Sequence, residues 1–318
     1  AQLLATLGLQ IPVKPMKGQM ILFKCAEDFL PSMVLAKRRY AIPRRDGHIL
    51  VGSTLEDVGF DKTPTEDALE SLRAAGKRIC LLTNQARRTA SAARLLDGMG
   101  FAPGLFDHLL TSGELAHQWL RHRPEPWLED LGTACLHFGP IRDAELIHGL
   151  DMEAVDQPYL AHFVLGTGLN DAEESLADYE EVLRICARAD LPMLCADPER
   201  WIPAGDGRLP GGGALARRYA DLGGAVDYCG LPFNDLYDRC LALLGIDDRS
   251  RILAVGDNLA TDLAGAEAAG LDSVLVTGGL HRQDLGTAWG EAPDAGRLAA
   301  LCAAAGRRPR AVLPTLRW

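Results

Sequence analysis

The run Arg251-Ile252-Leu253-Ala254-Val255-Gly256-Asp257-Asn258-Leu259-Ala260-Thr261-Asp262 leads an apolar stretch straight into two acids. Four consecutive apolar residues bounded by a glycine fit a short strand buried on both faces of a parallel sheet. Gly256 allows the backbone to turn sharply where such a strand ends. Asp257 and Asp262 then stand at the carboxyl end of the strand, where open α/β sheets bind their ligands. No Lys or Arg lies between them. Two carboxylates with no basic partner suit a cation, and an all-oxygen site suits Mg²⁺. The competing reading is a plain strand end, with Asp257 capping the next helix.

A second stretch has the same shape. Lys77-Arg78-Ile79-Cys80-Leu81-Leu82-Thr83-Asn84 is an apolar run ending in two hydrogen-bonding side chains, followed by Arg87 and Arg88 in a helical pattern. A Thr hydroxyl at a strand end, beside helix amides, can hold a phosphate oxygen. Thr-Asn is also an ordinary helix start.

Together the two stretches resemble the haloacid dehalogenase (HAD) superfamily of phosphohydrolases. Leu81-Leu82-Thr83-Asn84 is similar to its second motif, and Gly256-Asp257-Asn258 through Thr261-Asp262 to its fourth. Thr111-Ser112-Gly113-Glu114, Cys195-Ala196-Asp197-Pro198-Glu199, Gly213-Ala214-Leu215-Ala216, Leu222-Gly223-Gly224 and Val312-Leu313-Pro314-Thr315-Leu316-Arg317-Trp318 point to subclass IIA. The resemblance covers roughly residues 73–318. It implies an α/β fold with a HAD-like Rossmannoid parallel sheet and an α/β cap domain, the core from 73–120 and 225–318 and the cap from 121–224. It implies catalytic roles for Thr83, Asn84, Asp257 and Asp262, Mg²⁺ on Asp257 and Asp262, and substrate contacts from Thr83, Asn84 and Asn258. The substrate implied is a small phosphorylated metabolite.

Two departures from that pattern bear on activity. The family's nucleophile is the first Asp of an Asp-x-Asp-Gly-like motif, expected near residue 50, where the chain reads His48-Ile49-Leu50-Val51-Gly52. Asp46-Gly47 has Arg44 two residues before Asp46, not an acid. The family's Gly-Lys-Pro reads Gly230-Leu231-Pro232. The nucleophile and the charge-balancing Lys are therefore absent, which predicts impaired hydrolysis and a weak or vestigial Mg²⁺ site.

The 318 residues suffice for two or three domains. A net charge of −10 argues against a nucleic-acid partner. The eight Cys are scattered with no Cys-x-x-Cys, which fits reduced thiols and a cytoplasmic protein and disfavours a zinc site. No apolar run reaches the length of a membrane helix, and no signal peptide is expected. His137 and His162 sit in apolar runs and read as core residues rather than ligands.

The first part has a different character. Gly18 to Phe23 reads as a strand, and Arg39 to Arg44 and His48 to Gly52 flank a hairpin signal at Arg45-Asp46-Gly47. Residues 2–7 read as the end of a helix. Pro15-Met16-Lys17-Gly18-Gln19-Met20, Tyr40-Ala41-Ile42-Pro43-Arg44, Val51-Gly52-Ser53-Thr54-Leu55-Glu56 and Gly59-Phe60-Asp61 resemble FAD-dependent glycine oxidases of the D-amino-acid oxidase type. The resemblance covers residues 1–72 and implies an antiparallel β fragment of a substrate domain, with Tyr40 matching a substrate-site Tyr. No Gly-x-Gly-x-x-Gly precedes Gln19, so FAD is not expected. The two resemblances meet at Thr63 to Gly76, where Thr63 and Glu66 form a capping-box signal, as in a chimera.

The function expected is a subclass IIA phosphatase-like hydrolase of a small phosphorylated molecule. The alternatives are a fragment of a glycine or D-amino-acid oxidase, or a phospho-ligand binding protein without turnover. Oligomeric state has no signal in the sequence. One structural question stays open. In the HAD fold the nucleophile strand is central, so either His48 to Gly52 fills that place or it stays in its local hairpin.

Overall fold

The computed structural model describes residues 20–24, 34–36, 39–43, 48–52, 66–171, 173–204 and 207–316. The expected helix end at 2–7, the Thr63 half of the capping box and the side chain of Tyr40 lie outside them. The chain forms two compact units, Ala1–Thr63 and Pro64–Trp318.

In the first unit, β1 (Met20–Lys24), β2 (Val34–Ala36), β3 (Arg39–Pro43) and β4 (His48–Gly52) form an antiparallel sheet in the order β1-β4-β3-β2. Strand β4 pairs with β3 on one edge, Ile42 opposite Leu50, and with β1 on the other, Leu22 opposite Leu50. A strand has two edges, and both are taken. His48 to Gly52 therefore stays in its hairpin and does not enter the sheet of the second unit. Local closure of a short loop has won over a long-range pairing.

The second unit alternates strands and helices, beginning with α1 (Glu66–Ala74) and α2 (Thr89–Gly98). Its largest sheet is parallel, in the order β13-β10-β9-β7-β8, built from β7 (Ala134–Phe138), β8 (Glu153–Val155), β9 (Phe163–Gly166), β10 (Met193–Cys195) and β13 (Val226–Tyr228). The side chains of these strands divide by parity. Leu136, Phe138, Val164, Met193 and Cys195 face one core with Leu183, Cys186, Leu215 and Tyr219. Cys135, Phe163, Leu165 and Leu194 face the other, against Ala116, Leu120 and Leu146. The first core lies under α4 (Glu180–Arg188) and α5 (Gly212–Asp221), and the second under α3 (Ser112–His122). Leu183, Met193, Leu194 and Leu215 have no exposed surface. Each such burial contributes about 1.5–3 kcal/mol.

Leu176, Tyr179 and Leu183 recur at helical spacing, yet the α-helix begins only at Glu180. The Asp178 carboxylate accepts from both the backbone N–H and the hydroxyl of Ser175, starting a 3-10 turn at Leu176–Tyr179 before α4. A hairpin, β11 (Trp201–Ala204) with β12 (Gly207–Pro210), stands beside the start of α5.

The remaining strands form two small parallel sheets. One pairs β5 (Cys80–Thr83) with β6 (His108–Thr111), and the other has the order β14 (Leu253–Gly256), β15 (Asp272–Val276), β16 (Ala311–Leu313). Both rest on one layer formed by α6 (Asn234–Leu244) and α7 (Asp262–Ala268): Leu82, Leu110, Ile252 and Ala254 share a core with Leu236, Tyr237 and Ala266. Among the described residues β5 pairs only with β6, and β14 only with β15. The expectation that β14 is buried on both faces is wrong. Leu253 and Val255, on the face away from α7, are 50% and 45% exposed. No described strand lies on the free edge of β14 to extend the sheet and carry a cover over that face.

Candidate functional site

The C-terminal ends of β5 and β14 converge on one carboxylate, Glu199. The Nδ2 of Asn84 donates to its Oε1 at 3.0 Å, and the Thr261 hydroxyl to the same oxygen at 2.8 Å. The Nδ2 of Asn258 donates to Oε2 at 2.7 Å. Burial pushes the Glu199 pKa up, the three donors pull it back, and the Asp257 charge adds to the rise. Glu199 is presented by the turn after β10. The Asp197 carboxylate accepts from the Glu199 backbone N–H at 3.0 Å, and Asp197 is itself pushed far up by burial. The turn is pressed against the start of α5, where a Cβ on Gly213 would overlap the Pro198 carbonyl. Three consecutive glycines, Gly211 to Gly213, leave room for that approach.

Asn84 has both polar atoms engaged before any ligand arrives. Its Oδ1 accepts from the Leu231 N–H at 2.7 Å, and its Nδ2 also donates to the Leu231 carbonyl at 2.9 Å. A side chain at residue 230 would overlap Asn84 Oδ1, and Gly230 sits at φ +121°, a left-handed value that glycine tolerates. Thr83, beside it, uses its hydroxyl to accept from Gln85 N at 3.2 Å. Leu231 is 2% exposed and packs with Leu236 and Tyr237, so its side chain belongs to the core under the sheets.

Asp257 and Asp262 lie together beyond β14. Asp262 folds back over Gly256, and its Oδ2 accepts from the backbone N–H of both Asp257 and Asn258 at 3.0 Å. A side chain at Gly256 would occupy the same space. Burial pushes the Asp262 pKa up to about 7, with the charges of Asp257 and Glu199 adding to it. Asp257 does not cap the following helix: its Oδ2 accepts from Leu280 N at 2.7 Å, and α7 begins five residues later behind Thr261. The structure thus brings Asn84, Asp257, Asn258 and Asp262 around Glu199, with Thr83 one residue outside that ring.

A cleft of about 410 Å³ opens on this ring. Asn258 and Thr261 line it together with Arg200, Trp201, Arg217 and His281. Tyr228 and Phe233 form part of its wall as a stacked pair, centroids 5.1 Å apart and planes 14° from parallel. Glu199, Trp201 and the Arg residues carry no role in the motif reading. The one available signal was Cys195-Ala196-Asp197-Pro198-Glu199, an apolar run ending in acids like the stretch at Asp257.

Solved structures share this architecture. The chain superposes on a haloacid dehalogenase-like hydrolase from Brucella suis with a TM-score of 0.66 and 30% identity, over 80% of this chain and 90% of that one. The chain belongs to the haloacid dehalogenase-like family. A family profile described as HAD-hydrolase-like matches residues 228–316. A D-glycerol 3-phosphate phosphatase from Mycobacterium tuberculosis is 29% identical over 238 residues, 69% of this chain and 60% of that protein. A glycerol phosphate phosphatase from M. tuberculosis solved in complex with magnesium superposes with a TM-score of 0.51 at 25% identity, over 68% of this chain and 63% of that one. Residues 1–120 match a second profile, FAD dependent oxidoreductase. Glycine oxidase from Pseudomonas putida is 84% identical over 73 residues, 23% of this chain. The chain spans only a fifth of that relative's length. The HAD-like hydrolase part is thus preceded by a fragment of an FAD-dependent oxidoreductase.

The donor set at the strand ends is made of oxygen ligands. Asp257 and Asp262 each keep Oδ1 free of hydrogen-bond donors among the described residues, and no basic side chain pairs with either. Mg²⁺ needs only one or two carboxylates when a phosphate and waters complete its shell. No group of three or more ligating side chains converges among the described residues. The two carboxylates offer the kind of oxygen ligand that Mg²⁺ takes.

Proposed function

We propose that the chain binds a small phosphorylated metabolite in this HAD-type site and that its hydrolysis is impaired. One observation carries the reading: three side-chain donors from separate segments, Asn84, Asn258 and Thr261, already grip a carboxylate beside a pair of unpaired acids. A phosphate group offers the same kind of oxygen acceptor, so a ligand that displaces Glu199 meets those donors in place. Asp257 and Asp262 would hold Mg²⁺, which supplies charge neutralisation and Lewis acidity toward the phosphate when bound. Phosphatases among the relatives and a magnesium-bound neighbour support the substrate class and the metal.

The impairment is argued from what stands in the catalytic places. The resemblance puts the nucleophile on a strand between β5 and β14, and no described strand pairs with either of their free edges. It puts a Lys where buried Leu231 stands. The loss from a missing nucleophile is on the order of 10⁴-fold or more. With Mg²⁺, the protein is expected to bind inorganic phosphate in calorimetry but not to hydrolyse p-nitrophenyl phosphate above background. A metal-dependent turnover abolished by Asp257→Asn would refute the impairment. The division into a core (73–120 and 225–318) and a cap (121–224) belongs to the same proposal. So does a cytoplasmic location, which the scattered free thiols favour. The oxidoreductase fragment is expected to bring no FAD, so stoichiometric flavin absorbance in the purified protein would count against this account.

A further inference from the structure

The cleft walls carry chemistry that phosphate binding does not use. Phe233 and Trp201 are 41% and 44% exposed, and each leaves aromatic surface open to a ligand. They line the same cleft as Asn258 and Thr261, and Phe233 is held flat against Tyr228. Arg200, Arg208 and Arg217 line the same cleft. Arg208 is neutralised there by the Asp284 carboxylate at 2.7 Å, and Arg217 pairs with Asp221 on its own helix at 3.0 Å. Arg200 has no ion pair among the described residues. At the phosphate end the local charge is the reverse, with Asp257, Asp262 and Glu199 close together. Arg200 is therefore the lining cation left to meet a negative group other than the phosphate that the donors and metal would hold. Arg also stacks on flat rings and pairs with carboxylates two bonds at a time.

We infer that this cleft selects a phosphomonoester of a flat aromatic ring bearing a second acidic group, the ring lying against Trp201 and Phe233 and the acid meeting Arg200. The inference rests on the phosphate-binding reading above and deepens it. A volume of about 410 Å³ suits a one- or two-ring ligand. No bond is made or broken by the recognition itself, so it holds whether or not turnover occurs.

The test is calorimetry on the full chain with Mg²⁺, using inorganic phosphate, glycerol 3-phosphate, phenyl phosphate and 4-carboxyphenyl phosphate. Affinity is expected to rise in that order, with phenyl phosphate about threefold to tenfold tighter than glycerol 3-phosphate. Trp201→Ala should remove that gain and leave glycerol 3-phosphate unchanged. Arg200→Gln should remove only the further gain from the carboxyl group. Phe233→Leu, on a separate segment lining the cleft, gives a second variant should the hairpin carrying Trp201 fail to form. Equal affinity for phenyl phosphate and glycerol 3-phosphate overturns the inference and leaves the phosphate site standing. If no phosphate compound binds, inorganic phosphate included, both fall.

Discussion

Glu199 is an occupant of its own protein's anion donors. Its charge-assisted bonds to Asn84, Asn258 and Thr261 compete with any phosphate. Glu199→Gln is expected to tighten inorganic phosphate binding at pH 8 on the order of tenfold, worth about 1.4 kcal/mol, as one competing charge is removed. Calorimetry on the two proteins checks this, and equal or weaker affinity in the variant counts against the competition. His137 offers a pH test at the same scale. Burial lowers its pKa to about 4, and its Nε2 lies 2.8 Å from the Thr167 hydroxyl. The unfolded chain takes the proton near the ordinary value of 6.5. The stability contributed is therefore present above about pH 6.5 and is lost as the pH falls toward 4. Melting midpoints across that range should drop for the native protein and drop less for His137→Asn.

At the scale of elements, the strands with strict parity were legible. Cys135-Leu136-His137-Phe138 and Phe163-Val164-Leu165 read as buried strands because apolar residues occupy both faces, and both faces are covered by helices. Leu183→Ala on α4 empties a site with no exposed surface and is expected to cost about 2–5 kcal/mol in urea unfolding. Gly213→Ala at the start of α5 should cost about 1–3 kcal/mol by pushing the Asp197-Pro198-Glu199 turn away, and should weaken phosphate binding with it. A Gly213→Ala protein as stable as the native one would show that the turn yields freely. The site's acids and glycines were legible as strand-end chemistry. Glu199 was not, because its partners Asn84 and Thr261 lie 115 and 62 positions away in the chain. No local pattern reports a contact at that distance. The burial of β14 was misread for a related reason: the apolar run Ile252 to Val255 records the environment of a complete sheet, and the described strands do not complete it.

At the scale of the molecule, the chain joins an antiparallel oxidoreductase fragment to a HAD-like unit, and each keeps the strand pairing of its own kind. The two kinds of chain show in the sequence as a change from strand–turn–strand to strand–helix–strand. What the sequence could not say was whether His48 to Gly52 would leave its hairpin, since both outcomes satisfy its apolar run. Among the described residues this leaves β14 with an unpaired edge, and its apolar face is exposed at Leu253 and Val255. Such an edge is a template for another chain. Crowded in a cell, these molecules should recruit one another strand to strand, and their working lifetime would be set by aggregation and by chaperones rather than by melting. Light scattering should rise with protein concentration well below the unfolding temperature. Val255→Lys, a charge set in the middle of the sticky face, should suppress that rise while leaving the helical circular dichroism intact.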